Sequence, residues 1–232
     1  MRAAAFSEFG SPEVVRVVEL PQPKAGPGEV VVRVSAATVN PTDTLMRAGK
    51  QVAMMAGLEP PFVAGMEFAG HVHAVGAGVS ALAVGQPVMG LVNPRRPERG
   101  AHAEFVVAPV VSVVALPPSI DLAEAATVPM NGLTALMAIE ALGLARGASV
   151  LVTGAAGAVG GYVIQLARHA GLRIVADAKP ADVDLVRRCG ADEIVPRGEA
   201  MPAALRQLHP QGVDGLVDAA LLGERAAGHV RD

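Results

Sequence analysis

Two kinds of hydrophobic spacing divide the chain near residue 120. Before it, apolar and polar positions alternate over short runs that end in turn residues. Val14–Leu20, Glu29–Ala36, Glu67–Val75, Pro87–Val92 and Ala103–Val107 are rich in β-branched residues, and each predicts a short strand. Pro21, Pro23, Gly26, Pro27 and Gly28 separate the first two runs, and Gly76, Gly78 and Gly85 follow the third. Turn residues at these intervals point to an all-β barrel or sandwich over residues 1–120.

From 121 to 232 the pattern changes. Asp121 with Glu124 three residues on reads as a capping box at a helix start. Asn131–Leu142 continues as a largely apolar helix ended by Gly143. Ser149–Thr153 is an unbroken apolar run, as in a parallel strand buried on both faces. Helices over Val159–Ala170, Ala181–Cys189 and Ala200–Leu208 then alternate with strands over Leu172–Ala176, Glu193–Val195 and Val213–Asp218. Gly171 and Gly190 close the first two of these helices. Such alternation predicts an α/β unit with a parallel sheet and right-handed crossovers.

Composition narrows the class. Of 232 residues, 51% are hydrophobic and 18% charged, which suits a packed core and argues against disorder. A net charge of −3 leaves no electrostatic footprint for nucleic acid. Arg95, Arg96 and Arg99 lie among Pro94, Pro97 and Gly100 and read as an exposed loop, so no membrane surface is expected as a partner either. The single cysteine, Cys189, rules out a disulfide within the chain and fits a cytoplasmic location. Ala3–Phe6 is too short for a signal-peptide core. The uncharged stretch Gly147–Ala167 is interrupted by glycines and changes period halfway, so it is not read as transmembrane.

The candidate chemistry sits in that stretch. Thr153-Gly154-Ala155-Ala156-Gly157-Ala158-Val159-Gly160 joins a predicted strand to a predicted helix. A phosphate can approach the backbone N–H groups at a helix N-terminus where no Cβ intervenes. The first glycine makes the tight turn, the second admits a diphosphate, and the third lets helix and strand pack. A glycine triplet alone is a weak signal. Here a strand precedes it, a helix follows, and an acid, Asp177, lies 17 residues beyond Gly160 at the end of the next strand. Gly154, Ala155, Ala156, Gly157, Ala158 and Val159 are therefore candidates to hold a dinucleotide diphosphate, and Asp177 to meet its adenosine ribose.

Several segments together resemble the medium-chain dehydrogenase/reductase superfamily, in its zinc-free quinone oxidoreductase-like branch. They are Val39-Asn40-Pro41-Thr42-Asp43 with Arg47-Ala48-Gly49, Pro61 to Gly70, Ala125-Ala126-Thr127-Val128-Pro129, Gly132-Leu133-Thr134-Ala135, Val152 to Gly160, and Cys189-Gly190-Ala191-Asp192. The resemblance covers almost the whole chain. It implies an N-terminal GroES-like substrate domain, a Rossmann-type dinucleotide domain and an active site in the cleft between them. It also implies that Asn40, Thr127 and Thr134 lie near the nicotinamide and its ribose. Asn40 is then the catalytic candidate, donating to a substrate carbonyl or to the cofactor; capping the turn ahead of Pro41 is the competing role. Asp43 is expected to begin a helix over Thr44–Ala48.

The zinc-dependent branch places a cysteine and a histidine where this chain has the Asn40-Pro41 segment and Met66. A catalytic zinc needs about three N, S or O ligands, so no zinc is expected. Without a Lewis acid, hydride delivery to an acceptor that is already electrophilic is favoured over alcohol oxidation. The expected reaction is transfer of hydride from NAD(P)H to a quinone or an α,β-unsaturated carbonyl, with a small molecule as substrate. No histidine stands out as proton donor, and Tyr162, the only tyrosine, falls in the first turns of a helix. For the cofactor, Asp177 favours NADH, Lys179 with Arg187 or Arg188 offsets it, and the resemblance implies NADPH, the cofactor favoured here. The lysine that the branch often places further into this loop is not matched, since Asp182 falls there.

A complete sheet of this kind has six strands in the order 3-2-1-4-5-6. The pattern yields four, so the C-terminal strands are expected to be missing from this chain, with dimer formation possible only for a longer one. Two alternatives remain open: an enoyl-thioester reductase, and a non-catalytic NAD(P)H-binding protein.

Overall fold

The computed structural model describes residues 1–231. The chain forms two compact units, Met1–Met130 and Asn131–Asp232.

The first unit contains β1 (Arg2–Phe6), β2 (Arg16–Glu19), β3 (Glu29–Ala37), α1 (Pro41–Arg47), β4 (Phe62–Val63), β5 (Glu67–Val75), β6 (Pro87–Leu91), β7 (Phe105–Pro109), β8 (Val113–Ala115) and α2 (Leu122–Ala125). β7-β3-β5-β6-β8 form one antiparallel sheet, and β2-β1-β4 a smaller one. The predicted run Val14–Leu20 is shorter as a strand, because Pro12–Val14 winds into a 3-10 turn. β1, β4 and β8 were not expected. β4 and β8 are too short to show a periodicity, β1 is a run of alanines between Arg2 and Phe6, and all three are set by their neighbours, as where Phe6 pairs with Phe62.

β5 does not alternate over its first half: Glu67–Gly70 are buried on both faces. Phe68 packs into the barrel core with Val32, Val88 and Val106. Ala69 points the other way, onto Ala125 and Ala126. Asp121 caps α2, its Oδ1 accepting from the N–H groups of Ala123 and Glu124 at 2.8 and 3.0 Å. This capped turn packs on β3 and β5, so the first unit runs on to Met130 rather than ending at 120.

α3 (Pro129–Leu142) leads out of the first unit. The second contains β9 (Ser149–Thr153), α4 (Ala158–Ala170), β10 (Arg173–Ala178), α5 (Val183–Cys189), β11 (Glu193–Pro196), α6 (Met201–Leu208), β12 (Gly215–Asp218) and α7 (Glu224–Ala227). The sheet is parallel, in the order β11-β10-β9-β12. Its period-two side chains fill two cores. Val150, Val152, Ile174 and Ala176 face Val163, Ile164 and Ala167 of α4 and Val186 of α5. Leu151, Val175 and Val195 face Met201 and Leu205 of α6. This is why Ser149–Thr153 reads as unbroken apolar: every position is buried. Gly171 and Gly190, at φ 78° and 113°, end α4 and α5 in the left-handed conformation. Beyond α7, Val230 forms an isolated parallel bridge to Val213, two residues before β12.

Candidate functional site

The Gly-rich turn leaves the carboxyl end of β9. Gly154 adopts φ +65°, and a Cβ there would stand 2.9 Å from the carbonyl carbon of Ala219 and 3.1 Å from the nitrogen of Ala220. Both the left-handed backbone and the close approach therefore require glycine. A Cβ on Gly160 would lie 2.4 Å from the oxygen of Gly154 and 2.8 Å from Cα of Ala155, so α4 seats directly on the turn. Gly157 is exposed and would bring its Cβ near only the oxygen of Gly154, at 3.1 Å. It N-caps α4 without a side-chain hydrogen bond, and the first turn carries no acidic residue. The first turn of this 13-residue helix is thus capped by no side chain of its own N-cap residue and carries no carboxylate to compete for its N–H groups. The cradle fits a diphosphate: positive helix end, bare backbone and an open approach over Gly157.

Asp177 stands one strand away, near the end of β10, and is 1% exposed. Its Oδ1 accepts from the N–H of Ala155 at 3.1 Å, tying the second strand to the turn. Its Oδ2 accepts no hydrogen bond among the described residues, although Arg197 Nε is 3.8 Å away. Arg197 follows β11 and donates its N–H to the oxygen of Ala178 at 3.0 Å. Lys179, two residues past Asp177, is exposed. The corner beyond β10 and β11 therefore holds one buried carboxylate and two exposed cations.

On the other side of β9, Thr153 Oγ1 donates to Asp218 Oδ1 at 2.5 Å. Asp218 also accepts from the N–H groups of Ala220 at 3.2 Å and Gly223 at 2.8 Å. Burial pushes the Asp218 carboxyl up, but the bonds from Thr153, Gly223, Ala220 and Leu222 outweigh it and hold the group below its ordinary value. The loop after β12 is thereby folded back against Gly154.

The remaining candidates lie elsewhere. In the first unit, Asn40 N-caps α1, which begins at Pro41 rather than Thr44. Asp43 is the third residue of that helix: its Oδ2 accepts from Asn40 N–H at 2.8 Å and its Oδ1 from Gly65 N–H at 2.9 Å. Asn40 Nδ2 donates to Glu67 Oε1 at 2.8 Å and to Thr38 Oγ1 at 2.9 Å, which uses both amide hydrogens. Glu67 is fully buried, and its Oε2 accepts from Met130 N–H at 2.7 Å at the start of α3. Thr127 is exposed, its Oγ1 bonded to the oxygen of Glu124 at 2.8 Å. Thr134 lies on the exposed side of α3 in the second unit. Tyr162 packs against the α4 core.

Other polar groups bear on a metal. Thr42 Oγ1 lies 3.3 Å from the sulfur of Met66. His73 is within 2.9 Å of Gln22 Nε2 and packs on Phe105. Among the described residues no cluster of three or more His, Cys, Asp or Glu side chains is arranged to hold an ion. Among the described residues no helix is long and apolar enough to cross a membrane. In the basic loop, Arg95 is half-buried and donates to Thr42 Oγ1 at 3.2 Å, while Arg99 Nε donates to the oxygen of Pro61 at 3.1 Å.

Glu67, Arg197 and Asp218 escaped the sequence reading. Glu67 had one visible signal, a carboxylate at the head of the apolar run Phe68-Ala69-Gly70. Arg197 had none, because its neighbour Asp177 is brought to it by strand pairing.

Comparison with known proteins agrees with this architecture. Residues 26–118 match the alcohol dehydrogenase GroES-like domain family. The chain is 30% identical to the chloroplast envelope quinone oxidoreductase homolog of Arabidopsis thaliana, over 95% of this chain and 68% of that protein. It is 33% identical to the NADPH-dependent alkenal/one oxidoreductase of the same plant, over 83% of this chain and 51% of that one. The quinone oxidoreductase structure from Coxiella burnetii superposes with a TM-score of 0.87 at 28% identity, covering this whole chain and 73% of that one. The chain belongs to the medium-chain dehydrogenase/reductase superfamily, in its quinone oxidoreductase-like branch.

Proposed function

We propose that this chain binds NADPH and serves hydride transfer to a quinone or an α,β-unsaturated carbonyl, without a metal. The observation that carries the reading is the bare turn Gly154–Gly157 at the N-terminus of α4. Bound there, a reduced nicotinamide would supply the hydride. The turn's N–H groups hold the diphosphate, and Gly160 lets α4 stand close enough to present them. Metal independence is supported by the donor set, since by the resemblance the Asn40-Pro41 segment and Met66 stand where the metal-dependent branch has its cysteine and histidine. Asn40 spends its amide hydrogens on Glu67 and Thr38. These bonds orient the Asn40 side chain at the entry to α1, from which it would meet a substrate carbonyl or the cofactor.

The preference for NADPH rests on the corner at Asp177. A carboxylate that accepts from ribose hydroxyls repels a 2′-phosphate. Here that carboxylate is withdrawn to 1% exposure, bonded to Ala155 and faced by Arg197. Arg197 and Lys179 are left to receive the phosphate.

The test is oxidation of NADPH and NADH by the purified protein with 1,4-quinones, alkenals and enoyl-CoA as acceptors. Turnover of quinones or alkenals, faster with NADPH, is expected. Turnover of enoyl-CoA alone would replace the reading with an enoyl-thioester reductase. Cofactor binding without turnover of any acceptor would make the chain a non-catalytic binding protein.

A further inference from the structure

We infer that Arg95 is a specificity-determining residue of the acceptor site, a fixed guanidinium that selects acceptors bearing a carboxylate or another acidic group. The inference rests on the hydride-transfer reading above and names the class of acceptor it takes. Position along the chain puts Arg95 in an exposed basic loop, but the fold draws its side chain in and leaves it half-buried. Its Nε donates to Gln51 Oε1 at 3.1 Å. Its Nη2 donates to the same oxygen and, at 3.2 Å, to Thr42 Oγ1. Asn93 Oδ1 accepts from the Arg95 N–H at 3.0 Å and fixes the backbone beneath it. The guanidinium is thus held by residues 44 and 53 positions away.

All of these acceptors are neutral. Among the described residues no carboxylate forms an ion pair with Arg95. The two buried carboxylates around α1 are already engaged, Asp43 by the N–H groups of Asn40 and Gly65, and Glu67 by Thr38, Asn40 and Met130. Glu98, in the loop itself, is exposed. The Nη1 hydrogens meet no acceptor among the described residues, and the atom is not buried, so it presents a charged edge to solvent. A cation drawn inwards without a counter-ion loses hydration with no Coulombic return. An anion along this edge supplies that return through charge-assisted hydrogen bonds.

The surroundings assign the anion to the acceptor. Thr42 lies in the first turn of α1, two residues after Asn40, and its hydroxyl meets the sulfur of Met66. Glu67, next along the chain, holds the Asn40 amide. The pair Met66-Glu67 therefore supports both the arginine's anchor and the residue that would meet the acceptor carbonyl. An acceptor with an acidic group a few atoms from its reacting carbonyl spans the two. The cofactor's phosphates have their own donors in the second unit, at the Gly-rich turn and Arg197.

The experiment compares β-acetylacrylate with its methyl ester, an enone pair differing by one charge, on the parent chain, Arg95→Lys and Arg95→Gln. NADPH oxidation gives kcat/KM for each acceptor, and thermal unfolding checks that the variants fold. Arg95→Gln should lower the acid-to-ester ratio of kcat/KM roughly tenfold or more, through KM, the worth of one charge-assisted hydrogen bond. Arg95→Lys keeps the charge without the planar fork. It should show a smaller loss in the same direction, and it decides the matter if the glutamine variant does not fold. A merely structural clamp would lower both acceptors alike, and an unchanged ratio overturns the inference. Weaker NADPH binding by Arg95→Gln in the absence of acceptor, read by nicotinamide fluorescence, gives the arginine to the cofactor and also overturns it. If the parent chain turns over neither acceptor, the hydride-transfer reading fails, and binding of levulinate and its methyl ester, measured by calorimetry, decides the anion site. Preference for the acid that is lost in Arg95→Gln sustains it; equal binding of acid and ester by the parent overturns it.

Discussion

Arg197 Nε stands 3.8 Å from Oδ2 of Asp177 across the carboxyl ends of β11 and β10. The aspartate is buried, while the arginine side chain remains 41% exposed. A pair so arranged leaves the cation accessible to an incoming anion and the carboxylate withdrawn from it. Arg197→Ala should therefore lower kcat/KM for NADPH relative to NADH by roughly tenfold, about 1.4 kcal/mol of charge-assisted hydrogen bonding. An unchanged ratio would move the phosphate away from this corner. Kinetics with both cofactors on the variant and the parent measure it.

Gly160 tests the packing of the Gly-rich turn. A Cβ there meets the backbone of Gly154 and Ala155 at 2.4–2.8 Å, and backbone cannot yield as a flexible side chain can. Gly160→Ala should lower the unfolding free energy by about 1–3 kcal/mol. Gly157→Ala, where a Cβ meets only one oxygen at 3.1 Å, should cost less stability but obstruct the diphosphate. Urea unfolding and cofactor titration of the two variants separate these effects.

Glu67 takes hydrogen bonds from Thr38 Oγ1, Asn40 Nδ2 and Met130 N–H while fully buried. Removing the acceptor strands these donors away from water, at about 1–3 kcal/mol each. Glu67→Leu should therefore destabilise far more than Glu67→Gln, which keeps one acceptor oxygen. The comparison is made by denaturant midpoints, with Asn40→Ala as the smaller expected loss.

Asp214 and Asp218 latch the two ends of the β9–β12 pair. Asp214 is held below its ordinary value chiefly by the backbone N–H of Ser149, then by the hydroxyl of Ser149, with Arg231 adding to them. Asp218 is held low by Thr153 and three backbone N–H groups, against the opposing effect of burial. For both, the folded state binds protons less readily than the unfolded chain. The stabilisation is complete above the unfolded value, about pH 3.9, and disappears as pH falls through the lower folded value. Tm should drop steeply in that acid window, and Asp214→Asn with Asp218→Asn should flatten the drop.

Much of this was legible along the chain because the determining interactions are local. Gly171 and Gly190 announce the ends of α4 and α5, since a left-handed residue is needed wherever a helix closes this way. The run Ser149–Thr153 announces a strand buried on both faces. β1, β4 and β8 gave no such signal. They are strands because a neighbouring edge offers hydrogen bonds, which no local period encodes.

By itself the sequence determined the alternation of elements, the Gly-rich turn and its glycine spacing, and the family. Each follows from residue chemistry read within a few turns of chain. Only the tertiary structure decided how Asn40, Asp177 and Leu221 are held. Asn40 is engaged by Glu67, 27 positions away, through a pairing of β3 with β5. Asp177 is turned towards Ala155 by the register of β10 on β9 and faced by Arg197 through that of β11. Leu221 is displayed because Asp218 gathers the loop around it. Hydrogen-bond geometry between strands sets these relationships, and the order of residues along the chain does not contain it.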